Sequence, residues 1–504
     1  MNNSNTRIGG ILLVLIVLTI RVIDYVYTPL FNPDKLEQLI AAQNWSEGNG
    51  ISRAYWETQD SLVKKFEPLI QWPPGYSIFT GLLLKLGTPL YLTALLPDIV
   101  SLILLSIFSF LFLSVLHFQS RITAVLIWCI LLLNSSIAVR LTSVDFIAYT
   151  CFFGALTLLI RSVQKTFFLN GILAGIFLGC TVWFRYAYIP QVLALLVLGI
   201  IHQWKYNPNT LKKVWLPATG ITLFLVGLYV VLFKTGNPGY IDAKPTGLLW
   251  DNLLKIHWNF PVDGLIGLEG IVRILTGKLP VANYFLQFTL LLLILWVILL
   301  IIRNKPKSRF PWPLALSIIP INVGLLLYLS LTNSPQTWMP GGWTFVQEIR
   351  YYAPSWVAIF MILVWYLSYK KSYLTELLIV IPFFLITISD AVLYRKWKYS
   401  GVTNWELPGN HQIPEYLDFL KIAEMAKKNK QIPVQISSDP YTSLIAELAG
   451  WTPVKSANIL EPNICILQYQ EPTENQQINP SIGLEMTLSS GRIIYLTNPP
   501  HLWN

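Results

Sequence analysis

Runs of roughly 20 apolar residues recur along most of this chain, and they limit its fold more than any other feature. A run of that length closes its backbone hydrogen bonds as an α-helix and matches the hydrocarbon core of a bilayer. The runs lie at 8–30, 91–117, 121–139, 143–162, 167–186, 188–204, 214–234, 282–302, 311–331, 351–369 and 373–393. They predict an all-α polytopic membrane protein with about eleven transmembrane helices. Segment 75–87, just after Trp72-Pro73-Pro74, is too short to cross and reads as a half-helix that dips into the membrane or lies at its surface. Composition agrees. Only 12% of the 504 residues are charged, against about 25% in soluble chains, too few to clothe a water-facing surface of this size.

The net charge of +10 invites a nucleic-acid interpretation, but the basic residues stand in short clusters between apolar runs, where the positive-inside rule accounts for them. No nucleic-acid partner is expected. With the N-terminus in the cytoplasm and 75–87 not crossing, the cytoplasmic turns hold Arg121; Arg161 and Lys165; Lys205, Lys212 and Lys213; Arg303, Lys305, Lys307 and Arg309; and Lys370 and Lys371. The short outer turns hold little more than Arg140, Arg185 and Arg350. Counting 75–87 as a span would invert every later loop and place the clusters outside. The run after Arg7 resembles a signal peptide, yet it continues to Leu30 without a small-x-small cleavage site and is read as an uncleaved first span. Cys129, Cys151, Cys180 and Cys465 show neither disulfide nor metal spacing.

This topology puts three pieces on the outer face: residues 31–74, residues 235–281 and the tail from 394 to 504. Residues 1–393 form the membrane domain, and 394–504 are expected to be a small extracytoplasmic α/β domain. In the tail, Pro414–Lys430 reads as an amphipathic helix, and Val434–Ser437, Asn463–Tyr469 and Arg492–Thr497 read as strands. Asp439-Pro440 opens a further helix as cap and first position.

Ionisable residues at a membrane are costly, so those outside the basic turns call for an explanation. Asp34 follows the first span in Asn32-Pro33-Asp34-Lys35-Leu36-Glu37, ahead of a helical stretch that ends at Gly48-Asn49-Gly50. It is either a helix N-cap or an acid placed to act at the membrane surface. Asp145 opens another span, in Thr142-Ser143-Val144-Asp145, and carries the same two readings. Arg185 and Arg350 stand at outer span ends, each followed by tyrosine: Tyr186, and Tyr351 with Tyr352. Each either snorkels to lipid headgroups or binds phosphate through its planar fork.

Several motifs resemble the GT-C fold of polytopic glycosyltransferases, the group containing protein O-mannosyltransferases and the aminoarabinose transferase of lipid A. Asp34 followed by Ala42-Gln43-Asn44-Trp45-Ser46-Glu47-Gly48-Asn49-Gly50 is similar to the family's acidic residue, interfacial helix and A-x-N-L-x-x-G-x-G stretch. Pro73-Pro74-Gly75-Tyr76 resembles its P-P-G-Y, and Gly171, Gly175 and Gly179 leading to Arg185-Tyr186 resemble its G-x-x-x-G helix ending in arginine. Arg350-Tyr351-Tyr352-Ala353-Pro354 resembles its R-Y-x-x-P, and Ser437-Ser438-Asp439-Pro440 the strand-to-helix step of its outer domain.

The resemblance implies sugar transfer from a polyprenyl-phosphate donor to the hydroxyl of a lipid, glycan or protein acceptor. The reaction would take place among the lipids at the outer face of a bacterial-type cell membrane. Asp34 would be the catalytic base of an inverting transfer and Asp145 the second acidic position, which in relatives assists the site or holds a cation. Arg185, Arg350 and Tyr351 would receive the donor phosphate. Lys35 and Gln38 stand where many relatives have a second acid and a tyrosine, which leaves the use of a divalent cation open. The alternative is a polytopic transporter or lipid flippase, which would show paired repeats and polar residues at mid-membrane depth. Here the unusual residues collect at span ends.

Overall fold

A computed structural model describes residues 3–27, 33–58, 62–69, 72–134, 143–164, 167–233, 249–255, 292, 299, 312–332, 349–370, 372–399, 412–436, 440–454, 464–468, 483–488 and 493–497. The expected span at 282–302 lies outside these apart from Leu292 and Leu299, as do Asp439, Arg140 and most of loop 235–281.

Described helices in chain order are α1 (Asn3–Tyr27), α2 (Pro33–Ser46), α3 (Gly75–Lys85), α4 (Leu90–Ser114), α5 (Arg121–Leu133), α6 (Ser143–Gln164) and α7 (Phe168–Phe184). They continue with α8 (Ile189–Tyr206), α9 (Leu216–Phe233), α10 (Trp312–Thr332), α11 (Ala353–Lys370), α12 (Tyr373–Tyr399), α13 (Gln412–Lys428) and α14 (Pro440–Leu448). Among the described residues, 5 helical stretches are long and apolar enough to cross a membrane: Leu90–Ser114, Val144–Ser162, Tyr186–Tyr206, Pro208–Leu232 and Arg350–Ser368. Shorter apolar helices run over Ile8–Ile23, Arg121–Leu133, Phe168–Phe184, Ser317–Thr332 and Tyr373–Ser389. All of them fall where the sequence places a span. Helix α3 has 11 residues and so rises roughly 16 Å, about half the hydrocarbon thickness.

The chain divides into two compact units. One holds Met1–Asp24 and Pro97–Trp397, the other Tyr25–Leu96 and Lys398–Asn504.

In the first unit α6 is the central helix, 94% buried over Val144–Ser162. Helix α7 packs closely on the 211–215 turn and α9 because its facing positions are glycine. A Cβ on Gly171 would sit 2.5 Å from the Val214 carbonyl oxygen, and one on Gly175 2.6 Å from that of Ala218. Small residues at this spacing let two backbones approach within a membrane. Trp183 Nε1 donates to the Leu225 carbonyl at 2.8 Å and fixes the far end of the same contact. Glu376 at the start of α12, fully buried, accepts from the backbone N–H groups of Gln119 (2.9 Å) and Ser120 (3.1 Å) just ahead of α5. The carboxylate thus satisfies donors at the N-terminus of α5 that the helix itself leaves open.

In the second unit α2 lies against α3. Ser77 Oγ donates to the Gln38 carbonyl at 3.0 Å, and Gly81 leaves room for the Trp45 ring, which a Cβ there would meet at 2.6 Å. Past α2 the chain turns through Gly48 and Gly50, at φ 91° and 74°, values that only glycine adopts without strain. Asn44 Nδ2 clasps this turn by donating to the Ser52 carbonyl at 2.7 Å. A hairpin follows, β1 (Ser52–Thr58) antiparallel to β2 (Leu62–Pro68). The C-terminal residues form a five-stranded sheet of β3 (Ile432–Ile436), β4 (Thr452–Pro453), β5 (Ile464–Gln468), β6 (Gly483–Thr487) and β7 (Ile493–Thr497). Its order is β4-β3-β5-β7-β6. Strand β3 is parallel to β4 and β5, while β7 is antiparallel to β5 and β6. A backbone bridge from Trp56 to Val454 joins the hairpin to this sheet, and Trp56 packs on the core of Val434, Ile464 and Ile466.

Candidate functional site

Four of the residues singled out in the sequence meet inside the first unit. Asp145 lies in the first turn of α6, where the positive end of the helix dipole suits a carboxylate. Arg185 is the extended residue, φ −151° and ψ 103°, at the joint between α7 and the 186–188 turn that leads into α8. Arg350 and Tyr351 lie in the 3-10 turn Ile349–Tyr352 that opens into α11. Arg185 Nε stands 2.8 Å from Asp145 Oδ1, and Arg350 Nη1 3.6 Å from Asp145 Oδ2. Both guanidinium groups face the Tyr351 ring, with Cζ atoms 5.3 Å and 5.4 Å from its centroid, within cation–π range.

Burial differs across the cluster. The Asp145 and Arg185 side chains are each 3% exposed, whereas that of Arg350 is 15% exposed. Arg185 is therefore buried on a carboxylate and does not snorkel. Arg350, at the longer distance, is the cation with more access. Among the described residues two guanidiniums meet one carboxylate here, a positive balance that suits an anion such as a phosphate monoester. It does not suit a divalent cation, which would meet both arginines at Asp145. Among the described residues no group of three or more His, Cys, Asp or Glu has metal-holding geometry.

Asp34 belongs to the other unit. Pro33 is the first residue of α2 and Asp34 the second, so Asp34 sits inside the first turn and does not form its cap; its side chain is partly exposed. Lys35 beside it is fully buried. Glu37, one turn on, is tied into the scaffold: it accepts from Trp72 Nε1 at 2.6 Å and pairs with Arg53 at 3.3 Å. Arg53 also pairs with Glu447 of α14 at 2.5 Å. Burial opposes the charge on Arg53, but Glu447 and then Glu37 outweigh it and hold the guanidinium above its ordinary value. Burial raises the Glu447 carboxyl above the usual range, and Arg53 offsets part of that rise.

No protein-family model matches the chain, and no curated protein matches it either. Solved structures do. ArnT from Cupriavidus metallidurans bound to undecaprenyl phosphate aligns with a TM-score of 0.52 and 12% identity, over 98% of this chain and 98% of that one. The same protein in the apo state gives 0.51 and 12%, again over 98% of each chain. The chain has a GT-C-like fold. At this identity the likeness is one of architecture, and any activity has to be argued from the residues.

Alongside Asp145, Arg185, Arg350 and Tyr351 the structure brings residues that the sequence did not mark. Asn322 of α10, 2% exposed, donates through Nδ2 to the Tyr351 carbonyl and to Ser355 Oγ, both at 3.0 Å. Its Oδ1 accepts from fully buried Gln191 of α8 at 2.7 Å. The Gln191 amide could instead turn to donate to the Ala187 and Tyr188 carbonyls at 2.8 and 3.1 Å. That would set its oxygen 2.7 Å from Asn322 Oδ1, two acceptors face to face, because the Asn322 NH2 is already committed to Tyr351. In the first orientation the Gln191 oxygen lies against those same two carbonyls, so Tyr351 and Ser355, not Gln191, fix the Asn322 amide. The available signal was an amide near the start of one apolar run, Gln191, and one in the middle of another, Asn322.

Proposed function

We propose that this chain is a membrane glycosyltransferase that moves a sugar from a polyprenyl-phosphate-linked donor to an acceptor hydroxyl at the outer face of the membrane. The acceptor is a lipid, a glycan or a protein. The observation that carries the proposal is the buried, cationic cluster of Asp145, Arg185 and Arg350 at helix ends on a GT-C-like fold. A solved structure of that fold, ArnT, was crystallised with undecaprenyl phosphate.

In this scheme Asp34 takes the proton of the acceptor hydroxyl. The acceptor oxygen bonds to the anomeric carbon from the face opposite the phosphate, while the bond from that carbon to the phosphate oxygen breaks. Configuration inverts. The electron pair leaves with the polyprenyl phosphate, whose charge Arg350 and Arg185 receive, and Asp145 sets the spacing of the two guanidiniums. Asp34 lies partly exposed in the first turn of α2, and the base is assigned to it on the motif resemblance given above. In Asp34→Asn, transfer from polyprenyl-phosphate sugars in membranes is expected to fall by about 10²–10⁴ with insertion unchanged. Undiminished transfer overturns the assignment.

A further inference from the structure

We infer that Asn322 is a positioning residue for the phosphate-binding arginine: by fixing the Tyr351 carbonyl it sets where Arg350 presents its guanidinium. The inference rests on the reading of Arg350 as a phosphate ligand given above. A buried amide within an apolar helix is unfavourable unless its hydrogen bonds are made. At Asn322 the nitrogen donates to the Tyr351 carbonyl and to Ser355, and the Gln191 amide stands 2.7 Å from its oxygen.

These contacts converge on one short element. The 3-10 turn Ile349–Tyr352 has only four residues, so a hydrogen bond to the Tyr351 carbonyl fixes the Tyr351–Tyr352 peptide, one residue on from Arg350 in the same turn. One helical turn along α10 from Asn322, Leu326 packs on Tyr352, with Val323, Leu327 and Tyr351 around them. Residues four apart share a helix face, so a single face of α10 holds the turn by an amide and an apolar contact together. Packing alone would be met by leucine at both positions. The amide adds direction, because a hydrogen bond to a carbonyl is satisfied only within a narrow range of angle and distance.

A merely structural amide, holding helices together, would act on stability without preference for Arg350. The two roles separate in a double-mutant cycle. Binding of a short-chain polyprenyl phosphate to the purified full-length chain is measured for wild type, Asn322→Leu, Arg350→Ala and the double variant. Asn322→Leu is expected to weaken binding about tenfold in the wild-type background, as for loss of one aligned buried hydrogen bond. In the Arg350→Ala background it is expected to add no further loss. Thr222→Val, which removes a buried hydroxyl 2.8 Å from the Ala218 carbonyl of its own helix and 3.2 Å from the Gly175 carbonyl of α7, is expected to leave binding unchanged.

An equal loss from Asn322→Leu in both backgrounds, or no loss in either, overturns the inference while leaving Arg350 as a ligand. A wild-type chain that binds no polyprenyl phosphate overturns the proposed donor site and the inference together. Should Asn322→Leu fail to accumulate in folded form, Ser355→Ala is compared in the same two backgrounds. An approximately threefold loss confined to the background retaining Arg350 supports the positioning role, and no loss overturns it.

Discussion

Asp145 shows how one side chain lets unlike demands coexist. Two guanidiniums at this burial repel one another and lose hydration, and the carboxylate between them offsets both effects. Replacing it by leucine removes the charge that Arg185 meets at 2.8 Å, and stability is expected to fall by about 3–5 kcal/mol. Asp145→Asn keeps the shape and part of the hydrogen bonding and is expected to cost about 1–3 kcal/mol. Thermal unfolding of the detergent-solubilised variants checks both; a leucine variant as stable as wild type would show that the arginines do not depend on the carboxylate. At this scale the charged residues were legible in the sequence, because a charge at a span end is exceptional wherever it occurs. Their pairing was not, since Asp145, Arg185 and Arg350 come from separate helices and nothing in their spacing says which ends converge. Asn322 was harder still: an amide in an apolar run has no charge to mark it, and only the Tyr351 carbonyl gives it meaning.

Among the elements, α2 matters most, since it carries Asp34. Its supports come from both ends of the chain: Ser77 on α3, Arg53 on β1 reaching Glu37, and Gln43 donating to the Leu448 carbonyl at 3.4 Å. Arg53 links the set by also pairing with Glu447. Its side chain is 31% exposed while that of Glu447 is 4% exposed, so Arg53→Met leaves a buried carboxylate with its main counter-charge gone. The expected loss is about 2 kcal/mol, less than for a fully buried pair because solvent reaches the arginine. Burial already holds the Glu447 carboxyl above the ordinary glutamate value of 4.5. Such a group binds protons more readily folded than unfolded, so its contribution is favourable in acid and declines as pH rises past that value. Without Arg53 the rise is larger, so the Arg53→Met deficit is expected to be greatest at high pH, to shrink as pH falls through the raised Glu447 values above 4.5, and to be smallest below it. Unfolding curves across that range test this, and a deficit that grows in acid contradicts it. Helices of the membrane region were visible as apolar runs, and the half-helix as a run too short to cross. Hairpin β1–β2 was not, because neither strand has a run of β-branched residues and β1 gains its place by bridging to Val454.

For the whole molecule, the basic turns and the odd number of expected spans lead to the expectation of an N-terminus inside and residues 394–504 outside. A reporter fused after residue 420 is expected to be active only on the outer side of the membrane, and cytoplasmic activity there would reverse the orientation. The GT-C-like architecture was legible from motifs because their order along the chain carries information that each motif alone lacks. The joining of Tyr25–Leu96 with Lys398–Asn504 in one unit was not. It depends on a backbone bridge and an ion pair, neither of which leaves a periodic trace.

That joining also has a timetable. Arg53 and Glu447 are 394 positions apart, and at roughly 5–20 residues per second a ribosome needs about 20–80 s to cover that distance. Throughout this interval Arg53 lacks its strongest partner and Trp56 lacks the neighbouring strand that Val454 later supplies. Every span of the membrane region is synthesised before the unit that bears Asp34 is able to close. A nascent chain stalled before residue 440 would therefore be inserted with Asp34 present but the unit around it unfinished.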